Sequence, residues 1–552
     1  MKSLWKNIWL TAMAAAMLLS PLAQVYAQDV KPVAVISVTN PDKLLGDIDY
    51  LTNAGGAADA GRLVTLMAGP YLAGLDRTKP GGAYVVMDGE EPVVVAFLPV
   101  RDLTTVLATL KDSIGEPKDL GDGVQQVGEE PMTAFIKQVG AYAFIAQNAD
   151  HLKKLPKDPS ALLGNLPKDY SISAKLMMKN LPAALKAQAV QAMKDGAAAT
   201  PIETDDPAQR ELMEKLQANS VQQLTELVEE TDEVTFGWAI DPVGKSTYMD
   251  LVFTAIDGTK LARTMAGLKD AKTNFAGFLQ PNAAFTMNFS SQSTDKEQLA
   301  QAVAAIETFR AAAHKELDKD GEMEEDEKAA AKELVGTVFD VFKATIEAGK
   351  TDGGAVALAE PKQLTFVAGG SVVDAAKLEA AVKKAVAFVQ KKHPDELSKV
   401  DITFDASKHG GVRFHSIKVP LDDPEAQKVF GEKLDLILGA GDKSVYLAFG
   451  SKAESTLKAV IDASAADAGK AVPPMQMSLA LGAFMKFAAS VEDNPVTAML
   501  AAAADKVKGN DHIKINVKAI SNGELMRFEI EEGVLQMIGE GAKSAQGGGA
   551  GF

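Results

Sequence analysis

Apolar and polar residues alternate along the segment 233–254, which predicts two strands with one face towards solvent. The sequence Asp-Pro-Val-Gly at 241–244 predicts a turn between them, because proline fixes φ and glycine accepts a positive φ. Asp257 is then predicted to cap a helix over 257–269. The pattern as a whole predicts a strand, a turn, a second strand and a capped helix.

The same order of elements recurs along the chain. Segments 32–113, 171–269, 283–389 and 475–538 each predict a strand, one or more helices, a hairpin and a further helix. Hairpins followed by helices favour an α+β fold, with antiparallel sheets and helices packed on one face. We expect two similar halves, 32–272 and 282–545, that arose by internal duplication. The alternative is chance recurrence, because β-β-α patterns are common.

The N-terminus has the features of a secretory signal peptide. Lys2 and Lys6 precede an apolar run over 8–19, and Val-Tyr-Ala at 25–27 provides a cleavage site after Ala27. The run is short for a membrane span, and no later stretch has about 18 uninterrupted apolar residues. We therefore expect residues 1–27 to be removed and a soluble protein to reach the periplasm or the exterior. The glycine-rich tail, 546–552, is expected to be disordered.

Composition excludes several classes of function. The chain has no cysteine, so it has no disulfides, no thiol nucleophile and no cysteine-ligated metal. Its formal net charge of −17 disfavours binding to nucleic acid. It contains no Gly-x-Ser-x-Gly elbow and no His-Glu-x-x-His motif, so no familiar hydrolase site is visible. The glycine pairs at 353–354 and 369–370 lack phosphate-loop spacing and are interpreted as turns.

One acidic stretch between two predicted helices resembles an EF-hand calcium loop. Oxygen-bearing side chains occupy loop positions one, three, five, seven, nine and twelve: Glu316, Asp318, Asp320, Glu322, Glu324 and Glu327. Gly321 stands at position six, where the loop turns sharply. However, Glu316 stands where Asp is the rule, and no second loop is present to pair with this one. The alternative is a solvated acidic turn whose carboxylates favour the helix ends.

The closest pair of histidines is His409 and His415. They fall in a predicted hairpin tip that runs into a strand. Because no third ligand is near in sequence, we interpret them as polar residues of an exposed turn rather than as a metal site.

The chain resembles the large exported proteins of unknown function found in planctomycete-type bacteria. The resemblance rests on the signal peptide, the cysteine-free acidic composition and strand-hairpin segments such as AAFTMNF and GGAVALAEPKQLTFVAGGSVVD. It implies only an exported protein, and no specific motif supports it.

The absence of a recognisable catalytic motif favours a non-enzymatic envelope protein that binds a protein or small-molecule partner, with weak calcium binding as a variant. The alternatives are a hydrolase whose site assembles from distant residues and a carrier of an apolar ligand. An apolar cavity between sheet and helices would favour the carrier.

Overall fold

The computed structural model describes residues 31–129, 133–199, 207–319, 321, 323–507 and 509–547. The predicted signal peptide, 1–27, lies outside the described residues. So do residues 548–552 of the predicted tail, whereas the last helix extends to Gly547.

The chain divides into two compact units. Unit 1 comprises Met1–Lys194 and Thr225–Ile256, and unit 2 comprises Asp195–Leu224 and Asp257–Phe552. The predicted halves, 32–272 and 282–545, assign residues 195–224 and 257–272 differently.

The strands of unit 1 form an antiparallel sheet. Their bounds are Ala34–Val38 (β1), Gly81–Asp88 (β2), Glu91–Pro99 (β3), Lys118–Asp119 (β4), Val124–Val127 (β5), Ala134–Val139 (β6), Tyr142–Ala146 (β7), Ile172–Met177 (β8), Thr231–Asp241 (β9) and Ser246–Ala255 (β10). Among the described residues they pair in the order β10-β9-β8-β1-β2-β3-β7-β6-β5-β4. The helices up to this point are Pro41–Ala54 (α1), Ala58–Ala68 (α2), Leu103–Ile114 (α3), Leu166–Asp169 (α4), Ala183–Ala199 (α5) and Pro207–Glu230 (α6).

The predicted hairpin corresponds to β9 and β10. At its turn, the Asp241 carboxylate accepts hydrogen bonds from the backbone N–H groups of Val243 and Gly244, at 3.1 and 2.8 Å. The positive φ of 55° falls on Lys245 rather than on the glycine. The helix that follows begins at Lys260, and its N-cap is Thr259 rather than Asp257 as predicted. The Thr259 hydroxyl accepts from a backbone N–H of the first helical turn, which a cap residue must do.

Unit 2 contains a second antiparallel sheet. Its strands are Lys272–Thr273 (β11), Phe285–Gln292 (β12), Lys350–Glu360 (β13), Gln363–Ser371 (β14), Asp401–His409 (β15), Val412–Pro420 (β16), Lys433–Ala440 (β17), Ser444–Gly450 (β18), Lys470–Ala471 (β19), Met475–Ala480 (β20), His512–Ile520 (β21) and Gly523–Glu531 (β22). The helices are Lys260–Ala266 (α7), Lys296–Lys319 (α8), Glu325–Glu347 (α9), Ala375–Lys392 (α10), Pro394–Leu397 (α11), Pro424–Phe430 (α12), Ala453–Ala466 (α13), Leu481–Val491 (α14), Pro495–Lys506 (α15) and Glu532–Gly547 (α16).

The strand order of unit 2 is β22-β21-β20-β12-β13-β14-β18-β17-β16-β15, with β11 and β19 paired apart from it. Strand for strand, this is the order found in unit 1, with β12 in the place of β1. The α+β class is confirmed, and the shared order agrees with the predicted recurrence. A shared order does not by itself show a duplication, so the duplication stays a prediction.

Helices lie against both faces of the unit 2 sheet, one layer more than the sequence predicted. Val356 of β13 and Val367 of β14 are fully buried on one face, where they pack with Phe278 and with Leu457 of α13. Side chains alternate along a strand, so the neighbours of these valines, Ala355 and Ala368 among them, face the opposite way. That face is directed towards α8, α9 and α10. No helix in the described part of the chain is both long and apolar enough to cross a lipid bilayer.

Candidate functional site

A cavity of about 720 Å³ lies in unit 2 between the sheet and the helices α8, α9 and α10. Its wall is mostly apolar. Strands contribute Met287, Phe289, Ala355, Ala368, Leu438, Val445 and Leu447, and helices contribute Ile306, Val338, Phe342, Ile346, Leu378 and Val382. The residues from α9 and those from α10 recur at intervals of four, which places them on one stripe of each of these two helices. Sequence spacing alone could not show that these stripes stand away from the sheet.

Small residues on the sheet make room for the cavity. The glycine pairs predicted to form turns lie instead within β13 and β14, where Gly353 pairs with Gly370 and Gly354 with Gly369. A Cβ atom at Gly370 would contact only the Asp352 carbonyl oxygen, at 3.5 Å. A Cβ at Gly354 would lie 2.8 Å from Phe278 on the opposite face, so that position requires glycine. The turn prediction was therefore wrong, and glycine here thins the floor of the cavity.

A charged cluster stands at the part of the wall formed by α10 and β16. Glu379 of α10, whose side chain is 9% exposed, accepts a hydrogen bond from Arg413 Nε at 3.1 Å. Lys383 Nζ lies 2.7 Å from Glu379 Oε1 and 2.9 Å from Asp405 Oδ2. Hydrogen bonds from Arg413 and then Lys383 lower the pKa of Glu379 to about 2. The carboxylate is therefore ionised, and two cations and two anions balance within the cluster.

His415 of β16 lies beside this cluster and is 3% exposed. Its Nδ1 accepts a hydrogen bond from the backbone N–H of Asp405 at 3.0 Å, and its ring meets that of Phe404 edge-on. Burial lowers the pKa of His415, which favours the neutral ring. Since Nδ1 accepts, the proton of the neutral ring resides on Nε2. Nε2 has no hydrogen-bond partner among the described residues and lies 3.4 Å from Glu379 Oε1.

Glu379, Asp405 and His415 are also the kind of residues that bind metals. Among the residues that the structure describes, each places one possible ligand atom within 4.8 Å of the others. A metal needs a free lone pair on the imidazole, but Nδ1 is occupied by a backbone N–H and Nε2 carries the proton. The Glu379 carboxylate is already neutralised by Arg413 and Lys383. This group therefore fits a polar ligand atom better than it fits a cation.

The second half of the predicted calcium loop forms the start of α9. Glu324 is the N-cap residue, and Glu327 completes a capping box by accepting from the Glu324 backbone N–H at 2.7 Å. Lys392 lies 2.6 Å from the Glu324 carboxylate, and His393 Nε2 lies 2.5 Å from that of Glu327. These two predicted ligands therefore serve the helix end and contact Lys392 and His393 at the end of α10.

The first half of the loop ends α8. There the Asp318 carboxylate forms an ion pair with Lys332 of α9, and Glu316 is exposed. The remaining predicted ligands, Asp320 and Glu322, lie outside the described residues. The described members do not form a metal-ligating group of three. Calcium binding by this loop stays a prediction.

The histidine interpretation was wrong for His415. His409 does end β15 near the surface, with Nε2 2.7 Å from Asp462 Oδ1. His415, by contrast, is buried in the cavity wall. The alternation of β16, in which Phe414 enters the core, placed His415 on the other face. Contacts with α10 and with Phe404 of β15 bury it, and sequence spacing gives no sign of the contact with α10.

No protein-family model, no curated protein and no solved structure matches this chain.

Proposed function

We propose that this protein is exported and carries an apolar ligand in the cavity of unit 2, without acting on it as an enzyme. The cavity itself supports the proposal. Its volume of about 720 Å³ falls within the roughly 300–1,000 Å³ of ligand pockets, and its wall is mostly apolar. Export rests on the sequence pattern at 1–27.

Burial of hydrocarbon supplies the binding free energy. Each methylene group moved from water into an apolar wall contributes about 0.8 kcal/mol. A ligand that buries about ten of them gains about 8 kcal/mol, which sets a limit of about 1 μM on Kd, because the cost of association is subtracted from this gain. Each added methylene should tighten Kd about fourfold until the cavity is full.

The hydrolase alternative needs a nucleophile in contact with a base. The described aliphatic hydroxyl side chains of the cavity wall are Thr345, Thr351 and Ser371. The wall also contains the phenol of Tyr446, whose pKa is raised by burial. Thr345 donates to the Val341 carbonyl oxygen, Thr351 bonds Ser291, and the buried Ser371 hydroxyl has no partner among the described residues. None of them bonds His415, so this geometry favours binding over acyl transfer.

The test uses a fluorescent apolar probe, N-phenyl-1-naphthylamine, titrated into the purified mature protein. Ala368 stands on the cavity floor opposite Ala355 and Leu447. Ala368→Phe should project an aromatic ring into the cavity, reduce the space for the probe and weaken probe binding severalfold. The matched control is Ala376→Phe on α10, because Ala376 is exposed and outside the cavity wall. It should bind as wild type does.

A thermal melt confirms that each variant is folded, and Gly370→Val provides a second plug if Ala368→Phe is not. The proposal is overturned if the wild type does not bind the probe, or if folded plug and control variants bind it equally well.

A further inference from the structure

His415, a residue of the cavity wall, carries a buried N–H group for which the described residues provide no hydrogen-bond acceptor. Imidazole is polar, and burying an N–H group without a partner costs free energy. His415 is 3% exposed, and its Nε2 has no hydrogen-bond partner among the described residues. The rest of the wall is built mainly of Ala, Val, Leu, Ile and Phe. A ligand whose polar atom accepts a hydrogen bond from this donor should therefore gain more binding free energy at this position than a hydrocarbon does.

The backbone fixes which ring nitrogen donates. The amide of Asp405 can only donate, so His415 Nδ1 must accept it at 3.0 Å and Nε2 must carry the proton. The same bond and the edge contact with Phe404 hold the ring in place. The donor is therefore oriented before any ligand arrives, which reduces the entropy lost on binding.

The charges around His415 favour a neutral ligand. The groups that face it are Glu379 and Lys383 of α10, Asp405 of β15 and Arg413 of β16, two anions and two cations that pair with each other. Glu379 Oε1 lies only 3.4 Å from Nε2. A ligand carboxylate that accepts from Nε2 would have to approach this ionised carboxylate, whereas an ester or ketone oxygen carries no charge to repel.

We propose, on the premise of the proposed function, that the ligand is a neutral lipid-like molecule whose carbonyl oxygen accepts a hydrogen bond from His415 Nε2. The hydrocarbon part fills the space between the sheet and α8, α9 and α10. The polar end lies at α10 and β16, where the wall changes from aliphatic to charged.

The test compares three competitors of matched length for the fluorescent probe: methyl dodecanoate, dodecanoate and a linear alkane with as many heavy atoms as the ester. Wild-type protein should bind the ester roughly tenfold more tightly than the alkane, as one hydrogen bond to a buried donor allows. It should also bind the ester more tightly than dodecanoate. In His415→Phe the preference for the ester over the alkane should disappear.

A spectroscopic readout reports the bond directly and needs no variant. The infrared carbonyl stretch of methyl dodecanoate bound to wild type should lie at lower frequency than that of the same ester in an alkane solvent. In His415→Phe, where it folds, the stretch should return to the alkane value.

The possible failures are distinct. If the ester and the alkane bind wild type equally and Ala368→Phe blocks both, the proposed function holds and the role of His415 is overturned; the imidazole then only neighbours Glu379. If dodecanoate binds most tightly, the neutral ligand class is overturned. If none of the three displaces the probe, the proposed function itself fails.

Discussion

Replacing Leu457 by Ala should destabilise unit 2 by about 3–4 kcal/mol, whereas replacing Leu447 by Ala should cost only about 1 kcal/mol. Leu457 of α13 is fully buried among Phe278, Val367 and their neighbours. Leu447 of β18 faces the cavity and is 38% exposed. The two variants remove the same atoms, one from the helix packed on the core face of the sheet and one from the cavity face of the sheet itself.

The magnitudes follow from what each truncation leaves behind. Leu→Ala in a closed core costs about 2.7–5.0 kcal/mol, because the lost transfer free energy is joined by the cost of a new void. At Leu457 the surrounding aromatic and β-branched side chains limit collapse, which places the cost in the middle of that range. At Leu447 no sealed void forms, because the space is already open, and more than a third of the side chain was never buried. Only part of the transfer free energy of about 1.5–3 kcal/mol is then lost.

Urea unfolding followed by far-UV circular dichroism and by tryptophan fluorescence separates the units. Trp5 and Trp9 lie in the predicted signal peptide, so Trp238 of β9 is the tryptophan of the mature chain and reports on unit 1. The circular dichroism transition of unit 2 should move to lower urea in Leu457→Ala with an unchanged m value. Equal losses in the two variants, or a larger loss in Leu447→Ala, would show that the cavity face is packed as tightly as the core.

Two further predictions concern charge. Glu379 has a folded pKa of about 2 against an ordinary value of 4.5, so its stabilising pairs are fully present above about pH 4.5 and are lost as the pH falls towards 2. Because Arg413 is 36% exposed, solvent screening leaves roughly 1–2 kcal/mol; unfolding by urea between pH 5 and pH 2.5 should show this loss in wild type and not in Glu379→Gln. Millimolar calcium should raise the melting temperature slightly more than magnesium does, because magnesium needs a tighter octahedral site, and Glu327→Gln should abolish the difference. The rise is small because calcium must displace Lys332, Lys392 and His393 from the loop carboxylates, and equal shifts with both ions would indicate simple screening of an acidic surface.

The strands and hairpins were predictable because each rests on local information. Alternation with period two marked β9 and β10, and an Asp-Pro-Val-Gly sequence marked their turn. The order of elements was predictable from the sequence for the same reason. The finer choices were not, because several residues could serve: Thr259 rather than Asp257 caps α7, and Lys245 rather than Gly244 takes the positive φ.

The site was hidden because it depends on contacts between distant residues. The site draws its residues from α10, β15 and β16, so no spacing within one element predicts it. These residues are Glu379, Asp405, Arg413 and His415. One signal was available. The run Ala355 to Leu358 is apolar at successive positions rather than at alternate ones, as in strands covered on both faces. That pattern implied a second helical layer, but not the distance at which the layer stands.

The two-sided use of β14 has a consequence for how this protein can change over time. Val367 closes the core while its neighbour Ala368 faces the ligand space. A substitution at one position therefore alters folding stability, and a substitution at the next alters what the cavity accepts. Substitutions that change ligand preference can therefore accumulate at alternate positions of the same strand without lowering folding stability. Tolerated changes in this sheet should consequently follow the period of the pleat, with conservative positions and freely varying positions interleaved residue by residue.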